Sequence, residues 1–275
     1  MSATTAISTR PRESLPKKVT QARVLLSEWT KIRSLRSTVF SLLAAIVFIV
    51  GLSVLVPSVT VAHWPPHDLR EATAFDPTTR SLSGIFLAQL AIGVLGVLLI
   101  SGEYATGMIR ATFAAVPARL PVLWAKATVF ATVTLALMVP SVLGAFWIGQ
   151  SILTSKHLQA KLSDPGVLRA VIGAALYLTV VGLLGIGLGA LLRNTAAGIS
   201  TLFGLLFVLP IIVRFLPSSW ADPINEYLPS SAGEAITHVH PDPTMLAPWT
   251  GFGLFCAYAI AVLIAAAVSL RRRDT

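Results

Sequence analysis

Hydrophobic and polar positions fall along this chain in long blocks. Six apolar runs, at about 38–61, 81–101, 127–153, 168–192, 195–213 and 249–270, stand out. Each approaches or exceeds the roughly 20 residues a helix needs to cross a hydrocarbon layer. As drawn, the six contain no Asp, Glu, Lys or His, and their one Arg is Arg169 at the second position of the fourth. The pattern predicts an all-α membrane protein with six transmembrane helices. A block of a different kind precedes them. Over 22–37, Leu25, Trp29 and Ile32 share one helical face with Leu26 and Leu35 near it, while Arg23, Lys31, Arg33 and Arg36 supply cations. This predicts an amphipathic helix lying on the membrane, with Trp29, Lys31, Arg33 and Arg36 at the lipid surface. Residues 1–20 are rich in Ser, Thr, Pro and basic side chains without periodicity, and read as a flexible basic tail. That lead is too long, and the apolar run after it too long, for a secretory signal. The expected organisation is a tail at 1–20 and a single transmembrane domain at 21–275.

The breaks between runs carry the remaining signals. Gly102–Arg119 is an island of charge, glycine and hydroxyls in which Ile109, Phe113 and Val116 recur at i, i+4 and i+7, the spacing of a short amphipathic helix. Pro65-Pro66 and Asp76-Pro77 signal turns. Pro140 falls near the middle of the third run, where a kink is expected. Asp164-Pro165 reads as an N-cap before the fourth span. Within that span Gly185 and Gly189 form a small-residue pair suited to close helix packing. The longest connection, Arg214 to Pro248, offers a helix start at Asp222-Pro223 and a capping box at Ser231–Glu234. Its apolar Trp220, Ile224, Leu228 and Ile236 suggest that it folds back on the mouth of the bundle.

Composition agrees with the pattern. The 275 residues are 55% hydrophobic and 12% charged, with mean hydropathy +0.77, against about 25% charged in soluble domains. A formal charge of +9 could suggest nucleic acid, but its distribution reads instead as topology. Sorted by alternate segments, fifteen basic residues fall on the side of the termini and six on the other. The positive-inside rule then places both termini and the 102–119 island in the cytoplasm, and the 214–248 connection outside, with no nucleic-acid partner. Cys256 is the lone cysteine, so no intrachain disulfide can form.

The chemistry expected of several classes is missing. Spans this poor in charge disfavour an ion-coupled transporter. There is no H-E-x-x-H, no G-x-S-x-G and no P-loop. The five histidines fall in connections on the outer side without cysteine near them, and read as solvated side chains with no metal. Glu234 with His238 is the one pair that a membrane enzyme could use. The chain is expected not to be an enzyme, and work done on it would draw on another chain.

Taken in order, SEWTKIRSLRS before the first span, GEYATGMIRATFAAVPAR after the second, AKATVF opening the third, RNTAAGISTLFGLLFVLP opening the fifth and YLPSSAGEAI in the last outer connection resemble the permease subunits of ABC-2 type ABC transporters, especially small actinobacterial ones. The resemblance covers almost the whole chain. It implies a six-span permease in the plasma membrane that pairs with a second permease copy and with cytoplasmic ATP-binding subunits. The partner would bind ATP and Mg, and this chain would hold no cofactor. The island would be the coupling helix, with Glu103, Tyr104, Arg110, Phe113 and Arg119 at the ATPase contact. Tyr227, Ser231 and Glu234 would belong to the short helices of the outer mouth. The implied activity is export of amphipathic or lipophilic cargo by alternating access. The same residues also suit a non-transporting membrane scaffold or sensor that signals through the same loop.

Overall fold

The structure, a computed structural model, describes residues 20–65, 75–109, 112, 119–240 and 244–272. The tail up to residue 19, Arg110, Phe113, the side chain of Arg119 and most of the predicted coupling helix lie outside the described residues. Among the described residues the fold is all-helical, and six helices are long and apolar enough to cross a membrane.

Helix α1 (Gln21–Ser34) ends where Leu35 turns extended, and α2 (Arg36–Ala62) starts directly after it. Arg36 therefore opens the first span instead of continuing the surface helix. The face of α1 that packs is Val24, Glu28 and Ile32, and it leaves Leu26 and Trp29 exposed. The predicted Leu25–Trp29–Ile32 stripe differs because the neighbouring helix offers the Lys126 ammonium to the Glu28 carboxylate as well as apolar surface. A short α3 (Pro77–Ser81) leads to α4 (Ile85–Ala105), so the second span lies four residues later than predicted. Gly102 does not stop it: one glycine costs a helix only about 1 kcal/mol. The helix ends at Ala105, and Gly107 just beyond it takes φ +70°. Glu103 and Tyr104 thus belong to the last turn of a spanning helix.

The third span, α5 (Arg119–Leu153), begins eight residues ahead of its predicted start. Pro121 falls in its first turn, where no backbone donor is needed. The helix runs on through Pro140, and the Ser141 hydroxyl donates to the Leu137 carbonyl at 2.6 Å. α6 (Val167–Leu192) is the central element, buried along most of its length. α7 (Thr195–Val213) contains a π-helical segment at Gly204–Val208, just before Pro210. Proline supplies no amide there, and a widened turn accommodates the loss. The chain closes with α8 (Ser218–Glu226), α9 (Pro229–Glu234) and α10 (Pro248–Arg272).

Three predicted helix starts are corrected. α6 begins after Gly166, at φ +85°, while the Asp164 carboxylate accepts from the Lys161 amide behind it. Pro223 lies inside α8, which starts at Ser218. α9 starts at Pro229, and Ser231 inside it donates to Asn225 Oδ1 in place of capping. In each case a proline or glycine nearby sets the start, because backbone constraint outweighs one side-chain hydrogen bond. Asp76 does cap: Oδ1 accepts from the Thr78 amide at 2.8 Å and Oδ2 from the Thr79 hydroxyl at 2.7 Å. Asp76→Ala is expected to cost about 1 kcal/mol, read as an earlier midpoint when the purified protein is unfolded with SDS.

All six tryptophans lie toward the two ends of the bundle. Trp29 and Trp124 mark the end that carries α1, and Trp64, Trp147, Trp220 and Trp249 the opposite end. Trp124 and Trp147 are 23 residues apart on α5, about 35 Å along a helix, close to a hydrocarbon layer of roughly 30 Å. Exposed Phe40, Val47 and Leu55 along α2 suit lipid contact at that depth. In the core, α6 and α4 meet backbone to backbone. A Cβ on Gly185 would lie 2.5 Å from the Gly93 carbonyl oxygen, and one on Gly189 2.7 Å from that of Val97.

Candidate functional site

At the end that carries α1, four charged side chains close a ring. Lys31 Nζ lies 2.7 Å from Glu28 Oε1 and 3.0 Å from Glu103 Oε1. Lys126 Nζ lies 2.6 Å from Glu28 Oε2 and 2.9 Å from Glu103 Oε1. Glu28 and Lys126 are each 1% exposed. The charges alternate and cancel, which is the condition under which buried ions are tolerated. Three helices contribute: Glu28 and Lys31 from α1, Glu103 from the last turn of α4, and Lys126 from the second turn of α5. Val24 packs with Val122 and Ala125 just beside the ring. Burial pushes the Lys31 ammonium down, but Glu28 and Glu103 outweigh it and hold its pKa above the usual lysine value. Both lysines share Oε1 of Glu103. Its Oε2 is buried with no donor among the described residues.

Of the residues singled out in the sequence, the ring brings together Glu103 and Lys31. Lys31 lies between the two carboxylates. Trp29, Arg33 and Arg36 are exposed. Tyr104 follows Glu103 on α4, with the Arg193 guanidinium 5.4 Å from the centre of its aromatic ring. Glu28 and Lys126 were not anticipated as site residues. A signal existed: each is a charged position inside an apolar i, i+4 series, Val24–Glu28–Ile32 and Val122–Lys126–Phe130. A charge in such a stripe implies a buried partner.

The opposite end holds a second polar group. The Tyr177 hydroxyl donates to Gln89 Oε1 and also faces the Glu234 carboxyl. Burial pushes Glu234 up, against the opposing pull of Arg214 and Tyr177, to about 7. Glu234 and His238 line one cavity of about 160 Å³ with Thr79, Leu82, Ser83, Ile85, Phe86 and Thr237. Of the other mouth residues, Tyr227 is exposed and its carbonyl accepts from Tyr258, and Ser231 is held by Asn225. Among the described residues no cluster of His, Cys, Asp and Glu could hold a metal.

No protein-family model matches the chain, and no curated protein sequence matches it.

Proposed function

We propose that this chain is the transmembrane permease subunit of an ATP-driven export complex, coupled to a separate cytoplasmic ATP-binding subunit. The observation that supports this best is the ion-pair ring. A partner that pushes on the 102–119 connection acts first on the last turn of α4. Glu103 ties that turn to Lys126 on α5 and Lys31 on α1, so the three helix ends shift together. Both termini and the connection are assigned to the cytoplasm by the excess of basic residues at that end. The membrane is the plasma membrane, and two permease copies face each other. ATP and Mg belong to the partner. Gln89 lies among Leu90, Val94, Leu202 and Phe203 between α4 and α7, and this largely apolar lining favours amphipathic or lipophilic cargo.

The test is a pull-down of tagged protein in mild detergent, with co-purifying chains identified and assayed for ATP hydrolysis. A near-stoichiometric ATPase is expected. Glu103→Gln is expected to insert in the membrane and retain the ATPase while losing substrate-stimulated hydrolysis. If no ATPase is captured even after crosslinking, the permease reading fails and the scaffold reading replaces it. Stimulated hydrolysis at the native rate in Glu103→Gln would remove the ring from the coupling route.

A further inference from the structure

The cavity shared by α3, the start of α4 and the end of α9 has a polar wall rich in acceptors. The Thr79 hydroxyl gives its proton to Asp76 Oδ2 at 2.7 Å, and the Thr237 hydroxyl gives its proton to the Glu234 carbonyl at 2.7 Å. Both hydroxyls therefore present lone pairs to anything else nearby. Ser83 Oγ is buried without a hydrogen-bond partner among the described residues. Tyr177 gives its proton to Gln89 and also stands within hydrogen-bond reach of the Glu234 carboxyl. The remaining polar atoms are the Glu234 carboxylate and His238, whose carbonyl is held by Arg169 at 2.7 Å. Leu82, Ile85 and Phe86 complete the wall with apolar surface. Acceptors around one carboxylate, beside an aromatic ring, match a ligand with several N–H donors, a positive charge and a small apolar body.

We propose that this cavity binds a small organic ammonium ion, with Glu234 as its counter-ion, Ser83 and Thr237 as further acceptors and Phe86 against its apolar part. The volume of about 160 Å³ limits the occupant to a compact amine. The site does not depend on the proposed transport role, because occupancy is read on this chain without an ATPase. A failed ATPase pull-down would leave it standing, and absence of binding would leave the permease reading standing.

Several charged or titratable groups bear on Glu234. Tyr177 on α6 and Arg214 after α7 face it, His238 lines the same cavity, and Arg169 on α6 holds the backbone beyond it. An ammonium requires the ionised carboxylate. Binding is therefore complete above a carboxyl pKa of about 7 and weakens below it. Between pH 8 and pH 6 the affinity is expected to fall about tenfold. His238 gaining a proton would act in the same direction, so variants separate the two.

The experiment titrates benzylamine, with benzyl alcohol as neutral isostere, into the full chain in lipid nanodiscs, read by saturation-transfer NMR against protein-free nanodiscs. Saturable benzylammonium binding is expected, at least tenfold tighter than benzyl alcohol at pH 8. Glu234→Gln is expected to lose at least tenfold in affinity, and His238→Gln to keep the preference for the amine. Equal binding of amine and alcohol, native affinity in Glu234→Gln, or no saturable binding would each overturn the proposal. If Glu234→Gln does not assemble, the amine-to-alcohol ratio and the pH dependence of the native chain decide it alone.

Discussion

Lys126→Met is expected to destabilise the protein by about 3–5 kcal/mol, the cost of leaving a buried ion pair without one partner. Lys126 is 1% exposed and its ammonium touches both glutamates of the ring. Methionine fills much of the same volume but removes the charge. Glu28 Oε2 then has no cation, and the ring carries a net negative charge at the edge of the hydrocarbon layer. Lys31 cannot replace the lost contact, because it already spans Glu28 Oε1 and Glu103 Oε1. The loss is measured as a shift in SDS-unfolding midpoint, followed by tryptophan fluorescence. The double variant Lys126→Met with Glu28→Met removes one charge of each sign and is expected to recover most of the loss, since an apolar pair of similar volume often matches a buried ion pair. If the single variant unfolds at the native midpoint, the ring contributes no net stability.

Gly185→Val is the second substitution with a large effect. The added Cβ would stand 2.5 Å from the Gly93 carbonyl oxygen and 3.1 Å from the Val97 amide. Both neighbours are backbone, so no rotamer change relieves the overlap, and α4 and α6 must separate. Overpacking ordinarily costs about 1–3 kcal/mol, and here the cost is expected at the top of that range. Valine also strips χ1 freedom in a helix. Gly144 on α5 has nothing within 4 Å of its would-be Cβ, and Gly144→Ala is expected to leave stability unchanged or raise it by up to about 1 kcal/mol. Thermal denaturation followed by size-exclusion fluorescence compares the two. A native melting point in Gly185→Val would show that α4 can yield at this contact.

The six spans were legible because each is a long apolar run, charged only at Arg169 near the start of the fourth, and lipid demands that kind of run. Thr195–Val213 matched residue for residue. The ends were less legible. α5 reaches back to Arg119 across Lys126, and α4 reaches on through Glu103, because charges mark a span boundary only when they stay in water. Here they neutralise one another between helices. The capping signals at Asp164, Asp222 and Ser231 misled for a related reason: a local motif competes with Gly166 at φ +85° and with Pro229 at a helix start, and backbone constraint wins. Glu28 was hidden because a lone glutamate in an amphipathic helix reads as solvent-facing until its partner, 98 positions away, is known.

The length of α5 has a mechanical consequence. Between Pro140 and Arg119 the helix extends 21 residues, about 32 Å. Its first turns project past the level of Trp124, and the ion-pair ring clamps α1 to that projecting end. A bend at Pro140 would turn such a helix into a lever. A bend of only about 10° at the proline would carry the far end sideways by about 5 Å, roughly one helical turn's rise, and sweep α1 across the membrane surface with it.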